Sequence, residues 1–298
     1  MKSHSKLLLI ISLLVLGSCA TPTSDSTSLD DTSNPTSGIS ISDGTSLITT
    51  SETPLTSTPV TSTPVTSTPT TSQEFNGYYN SVNLEAEGTN LLNALKALVN
   101  SGFVSGSYSN AWNVAKIGDQ DINNANNIIQ IYSRYTRPKS EQNNGSGEDN
   151  WNREHVVTQS AMGCDARNGV GPCTDYHNLW ASDTKVNATR GNNKFGVVSS
   201  GAVVKDSKGR ETPARLSGGV FDPNSEARGE VARATFYMII KWNFSTSING
   251  NLNTLLEWNR QYPPTAAREI KRNNAVYNAQ HNRNPFIDYP ELADAIWA

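Results

Sequence analysis

The feature that most restricts what this chain of 298 residues can fold into is a break in composition near residue 73. From Ala20 to Ser72 the sequence is built of Ser, Thr and Pro with almost no core-forming side chains, and Thr56 to Thr70 reads TSTPV-TSTPV-TSTPT. Such a segment cannot bury enough apolar surface to offset its ordering entropy, so it is expected to stay disordered and solvated, with reach as its function. Proline at every fifth position stiffens it toward polyproline geometry. A core can therefore begin only after it, and residues 74–298 are long enough for one domain with a sizeable interior.

Ahead of this linker (residues 20–73), residues 1–19 read as an export signal. Lys2 and Lys6 give a positive start, and Leu7 to Leu16 form an apolar run broken only by Ser12. The run falls short of the roughly 20 apolar residues that span a bilayer. It ends in Leu16-Gly17-Ser18-Cys19, which resembles the bacterial lipobox, where small residues precede a cysteine that becomes diacylated. The expectation is an extracytoplasmic protein tethered to the membrane through a lipid on Cys19. An ordinary secretory leader with an unrelated cysteine is the alternative.

Cys164 and Cys173 lie nine residues apart in CDARNGVGPC. Outside the cytoplasm such a pair reads as a disulfide closing a Gly-rich loop. For so small a ring the stabilisation is at most about 3 kcal/mol. Zinc would need two further ligands at finger-like spacing, and none is present.

Periodicity predicts helices over Thr89–Asn100, Asn124–Tyr135, Val186–Asn193, Gly229–Phe244, Leu252–Arg260 and Pro264–Gln280. In the last, Ala267, Ile270 and Tyr277 are expected to face inward, with Arg268, Lys271 and Arg272 outward. Trp151–Val157 reads as a strand, Lys194–Val204 as a hairpin and Ser140–Asn150 as loop. The fold class is α+β with helices dominant. The tryptophans (Trp112, Trp151, Trp180, Trp242, Trp258, Trp297) read as core rather than as base-stacking platforms. Residues 228–283 carry eight basic side chains against three acidic ones, an excess compatible with a polyanionic partner or with a solvated helical face.

The chemistry concentrates around WNREHVV, residues 151–157. An adjacent Glu154-His155 pair is unremarkable by itself, and no second His follows at the spacing of a zinc-protease helix. Downstream, DYHNLWASDTKVNATRGN places Asn178 and Asn187 nine apart, with a helix candidate starting between them. One carboxylate plus one neutral amide oxygen leaves several positions for water, which is how Mg²⁺ is usually held. A strand delivering Glu154-His155, a second strand at His177-Asn178 and a helix delivering Asn187 would make a ββα unit around one metal.

With these pieces in order the chain resembles the endonuclease I family of ββα-metal (His-Me finger) nucleases. The matching segments are NREHVV (152–157), HNLW with VNATRGN (177–192), ARGEVARATFYM (227–238) and QHNRNPFIDYPEL (280–292). The resemblance implies a ββα-metal finger core surrounded by helices, acting on DNA with RNA as a further substrate and leaving 5′-phosphate ends; the expected state is a monomer. It implies His155 as general base, Glu154 and Asn187 as ligands of Mg²⁺ (Mn²⁺ or Ca²⁺ as alternatives), and Asn178 as a structural asparagine pinning the loop. Arg190, three residues after Asn187, is placed to reach a phosphate. Asp183 is a further candidate carboxylate near the metal, and His177 reads as structural. The chain departs from the family pattern at Thr158 and Ala181, where Pro is frequent, and at His281, where Gly is frequent. The rival readings are a nucleic-acid-binding lipoprotein without catalysis and an adhesive surface protein.

Overall fold

The computed structural model describes residues 74–143 and 149–298. The leader, the linker and Cys19 lie outside the described residues, as do residues 144–148 of the expected loop.

The described chain mixes helices with small sheets, as the α+β expectation requires. Helices α1 (Gly88–Asn100) and α2 (Ala111–Gly118) come first, followed by short strands β1 (Asn127–Ile129) and β2 (Thr136–Pro138). Strand β3 (Trp151–His155), helix α3 (Gln159–Met162), strand β4 (Leu179–Asp183) and helix α4 (Thr184–Arg190) come next. Strands β5 (Lys194–Phe195), β6 (Ala202–Lys205), β7 (Glu211–Ser217) and β8 (Val220–Asp222) form one sheet in the order β5-β8-β7-β6. The C-terminal part is helical: α5 (Ser225–Trp242), α6 (Leu252–Gln261), α7 (Lys271–Gln280), α8 (Pro285–Asp288) and α9 (Leu292–Trp297).

Helix α5 is the axis of the core. It is buried from Gly229 through Lys241, on every side, as expected of a helix enclosed by others rather than lying on a surface. Asn224 caps it by accepting from the Ala227 amide at 2.8 Å. Helices α1, α6 and α8 pack around it. A Cβ on Gly229 would come within 2.2 Å of the Tyr262 carbonyl oxygen, so only glycine lets the end of α6 approach α5 this closely. Trp151, Trp180 and Trp258 are fully buried, in keeping with a core role.

Three sequence expectations are corrected. The helix expected over Asn124–Tyr135 is a β-turn-β unit, with Asn127 paired to Pro138 and Ile129 to Thr136. Arg134 takes a left-handed φ of 58° that interrupts any helix there. Ile128, Ile131 and Tyr132 are buried all the same, because a short apolar run satisfies the helical and the extended period equally well. The hairpin expected over Lys194–Val204 does not form. β5 pairs in parallel with β8 and β6 pairs antiparallel with β7, so the two segments lie at opposite edges of one sheet.

The third correction is of the face assigned to the segment ending in α7. Ala267 is exposed, whereas Arg272 is fully buried, donating to Asp119 at 2.7 Å and to the Tyr176 carbonyl at 2.9 Å while lying over the Trp180 ring. The basic excess of residues 228–283 is therefore not a surface patch. Arg233, Arg272 and Arg283 are buried against Glu269, Asp119 and Asp288.

Candidate active site

Strands β3 and β4 run antiparallel in continuous register from Trp151 opposite Asp183 to His155 opposite Leu179. The chain passes from Asp183 directly into α4, whose first turn Asp183 caps by accepting from the Lys185 and Val186 amides at 3.0 and 3.1 Å. This is the ββα unit expected from the sequence. Its second strand begins at Leu179, just past the His177-Asn178 pair. Asp183 itself is fully buried and accepts from Ser207 Oγ at 2.6 Å. Its carboxylate is a cap inside the fold, which corrects its candidacy as a ligand.

The end of β3 opens on a cleft of about 410 Å³ lined by Arg153, Glu154, His155, Asn187 and Arg190, with Tyr108 at one wall. Among the described residues the His155 ring makes one hydrogen bond: Nε2–H donates to the Cys173 carbonyl at 2.8 Å. A carbonyl can only accept, so this contact makes Nε2 the protonated nitrogen of the neutral ring and leaves the Nδ1 lone pair free. Burial pushes the imidazole pKa down from 6.5 to about 4, so the ring is neutral at physiological pH.

Glu154 Oε1 accepts from the Tyr132 hydroxyl at 2.7 Å and faces Arg190 Nη1 at 3.2 Å. Burial raises its pKa, and Arg190 and the Tyr132 bond oppose that rise. Asn187 donates from Nδ2 to Asn152 Oδ1 at 2.8 Å, which leaves its own Oδ1 without a donor among the described residues. The cleft thus presents one carboxylate and one amide carbonyl, a hard-oxygen pair suited to a cation that keeps most of its water. Among the described residues no group of three or more His, Cys, Asp or Glu side chains could enclose a metal.

Asn178 sits where the sequence places it. Its Oδ1 accepts from the Val157 amide at 2.7 Å and its Nδ2 donates to the Val157 carbonyl at 2.9 Å, fastening the chain as it leaves β3. His177 is buried away from the cleft. Its Nε2 is 3.2 Å from the Asn282 carbonyl, and its ring packs on Tyr237.

Arg190 differs from expectation. Nη1 donates to the His155 carbonyl at 3.0 Å and faces Glu154, while Nη2 donates to the Val156 carbonyl at 2.6 Å and to Asn249 Oδ1 at 3.0 Å. Only Nε lacks a partner, and that atom is buried. The expected reach to a phosphate is replaced by a clamp on the end of β3. Asn249 closes the same clamp by donating to the Val156 carbonyl at 3.0 Å. Neither Asn249 nor Tyr132 was visible as a site residue, because nothing in their local sequence distinguishes them from other core or loop positions.

The disulfide expected from the cysteine spacing forms between Cys164 and Cys173. The departures from the family pattern also find their reasons. Thr158 caps α3 by accepting from the Ala161 amide at 3.2 Å. The Ala181 amide donates to Asp119 at 2.9 Å, a bond proline could not make. His281 has a φ of 61°, the left-handed conformation that explains a glycine preference there.

The Endonuclease I family model matches residues 87–291, the stretch that contains every residue of this cleft. The chain belongs to the Endonuclease I family of nucleases. It is 38% identical over 231 residues to an extracellular ribonuclease of Bacillus amyloliquefaciens, a match covering 70% of this chain and 74% of the relative. It is also 38% identical over 232 residues to an extracellular ribonuclease of Bacillus subtilis (strain 168), covering 70% and 75%. No described helix of this nuclease is long and apolar enough to cross a membrane.

Proposed function

We propose that the protein is a divalent-metal-dependent endonuclease that hydrolyses phosphodiester bonds of DNA, with RNA as a further substrate, and leaves 5′-phosphate ends. The observation that supports this reading best is the meeting of Glu154, His155 and Asn187 in one cleft at the end of β3. The names of the two Bacillus relatives support action on RNA.

In this reading Glu154 and Asn187 hold Mg²⁺ (or Mn²⁺ or Ca²⁺). Such an ion would supply positive charge to stabilise the negative charge that develops on the leaving 3′-oxygen. His155 takes a proton from the attacking water at Nδ1, a contribution of about 10²–10⁴ in rate. The Cys173 carbonyl fixes the tautomer this requires, and burial keeps the ring neutral. Tyr132 and Arg190 hold the Glu154 carboxylate in one orientation. Asn178 is structural, keeping the exit of β3 in place.

The same reading places the protein outside the cytoplasm, as a monomer tethered by a lipid on Cys19. If so, Cys19→Ser should leave the membrane fraction. Incubating the protein with duplex DNA and with RNA, in Mg²⁺ and in EDTA, tests the activity. Cleavage in Mg²⁺ and none in EDTA is expected. Intact substrate with Mg²⁺, Mn²⁺ and Ca²⁺ alike, despite binding, would favour the rival reading of a catalytically inactive nucleic-acid-binding lipoprotein.

A further inference from the structure

Every arginine of the described chain that is buried or half-buried has a carboxylate at salt-bridge distance, except Arg153. Its guanidinium is stacked over the Tyr108 ring at 3.5 Å and over the Trp112 ring at 4.2 Å. Nη1 donates to the Tyr108 carbonyl, Nε is buried without a partner, and Nη2 makes no hydrogen bond among the described residues. The two rings and the carbonyl fix where the charge sits but do not neutralise it, and burial accordingly lowers its pKa. A preorganised guanidinium with free donors and no counter-ion, at the wall of a cleft, is built to receive an anion.

Arg153 stands two residues before His155 on β3, so both project from the same face of the strand, about 6.7 Å apart along it. The Tyr108 ring touches both, lying 5.6 Å from the imidazole. The offset of Arg153 and His155 along β3 is of the order of the spacing between neighbouring phosphates of one nucleic-acid strand. Arg190, the other cleft arginine, is neutralised by Glu154 and engaged with backbone carbonyls.

We infer that Arg153 binds the backbone phosphate next to the scissile one, forming a subsite that tracks the nucleic-acid strand. The inference rests on the reading of this cleft as the nuclease site. Binding is tested first, in EDTA, with a single-stranded oligonucleotide at several salt concentrations. Arg153→Gln should weaken binding about tenfold and flatten the slope of log Kd against log salt by roughly 0.7. Arg153→Lys, which keeps the charge, should retain most of the slope. This arm needs no catalysis, so its outcome stands even if the protein cleaves nothing.

Turnover then locates the contact. On an oligonucleotide, Arg153→Gln should raise KM with little change in kcat. On a dinucleoside monophosphate, which has no flanking phosphate, the variant should match the wild type. An equal loss on both substrates would place Arg153 on the scissile phosphate and overturn the inference. Unchanged salt dependence in a variant that melts like the wild type would overturn it as well.

Discussion

His155 Nε2 lies 2.8 Å from the carbonyl oxygen of Cys173, so the imidazole of the cleft is oriented by the backbone of a cysteine whose side chain closes a disulfide. From the sequence the Cys164–Cys173 bond reads as a stabilising staple with no part in the chemistry. The structure joins the two roles in one residue.

The pair Cys164→Ser and Cys173→Ser should therefore lose more than stability. A fall of at most about 3 kcal/mol in unfolding free energy is expected from the ring. At a temperature where the variant remains folded, kcat should fall as well, with metal affinity unchanged. A variant with wild-type kcat under those conditions would show that the Cys173 carbonyl holds its place without the disulfide.

The His155 pKa of about 4 sets a pH profile. The base must be neutral, so activity should persist well below 6.5 and fall only as pH drops toward 4. His155→Ala should lose about 10²–10⁴ in turnover while still binding nucleic acid. An inflection near 6.5 in the rate profile of the metal-saturated enzyme would contradict the burial seen here.

The same burial makes a stability prediction. His155 and His177 have folded-state pKa values lowered to about 4 and about 3, against 6.5 for the unfolded chain. Between those limits the unfolded state binds more protons. Stability should therefore be full above pH 6.5 and decline progressively as pH falls through the folded values. Urea titrations at pH 7.5, 5.5 and 4.5 would read it. His177→Gln should flatten the decline without moving the rate profile.

Glu154 and Asn187 should behave differently from His155. Asn187→Ala and Glu154→Gln should weaken metal affinity, and added Mg²⁺ should partly restore their rates. His155→Ala should show no such recovery in a metal titration. Equal metal dependence across all three variants would undo the division of roles.

Arg190→Ala is expected to be a folding variant first. It leaves Glu154 buried without its ion-pair partner, a change that costs about 3–5 kcal/mol, and it removes a donor from the His155 and Val156 carbonyls and from Asn249. Lysine should not rescue it, because a single ammonium cannot reproduce three hydrogen bonds and an ion pair from one planar group. A melting temperature close to wild type would argue that the clamp is dispensable.

Much of this arrangement was legible in the sequence, and the reason differs from part to part. The strand carrying Glu154-His155, the helix carrying Asn187 and the core stripe of α1 follow from local periodicity and capping residues, which a sequence displays directly. The parallel pairing of β5 with β8 depends on partners 26 residues away, which it does not, and the turn at Arg134 lies in a short apolar run that suits helix and strand alike. Arginine was the residue type most often misplaced. Arg190 reads as a phosphate contact and Arg272 as an outward-facing cation because nothing near them announces the carboxylates and carbonyls that receive them in the fold. Arg153 passed unnoticed inside the motif itself, since its distinction is the absence of a counter-ion.

The clamp on the end of β3 also bears on when this cleft comes into being. Arg190 and the Val156 carbonyl both close on Asn249, about 60 and 90 positions further along the chain. Asn249 in turn donates to Thr235 Oγ1 on α5 at 2.9 Å. A chain that has emerged only as far as Gly191 already carries Glu154, His155 and Asn187, yet lacks Asn249 and α5, which close the clamp. A fragment ending before α5 would hold the complete motif without the Asn249 contacts that clamp the end of β3, and is expected to be inactive.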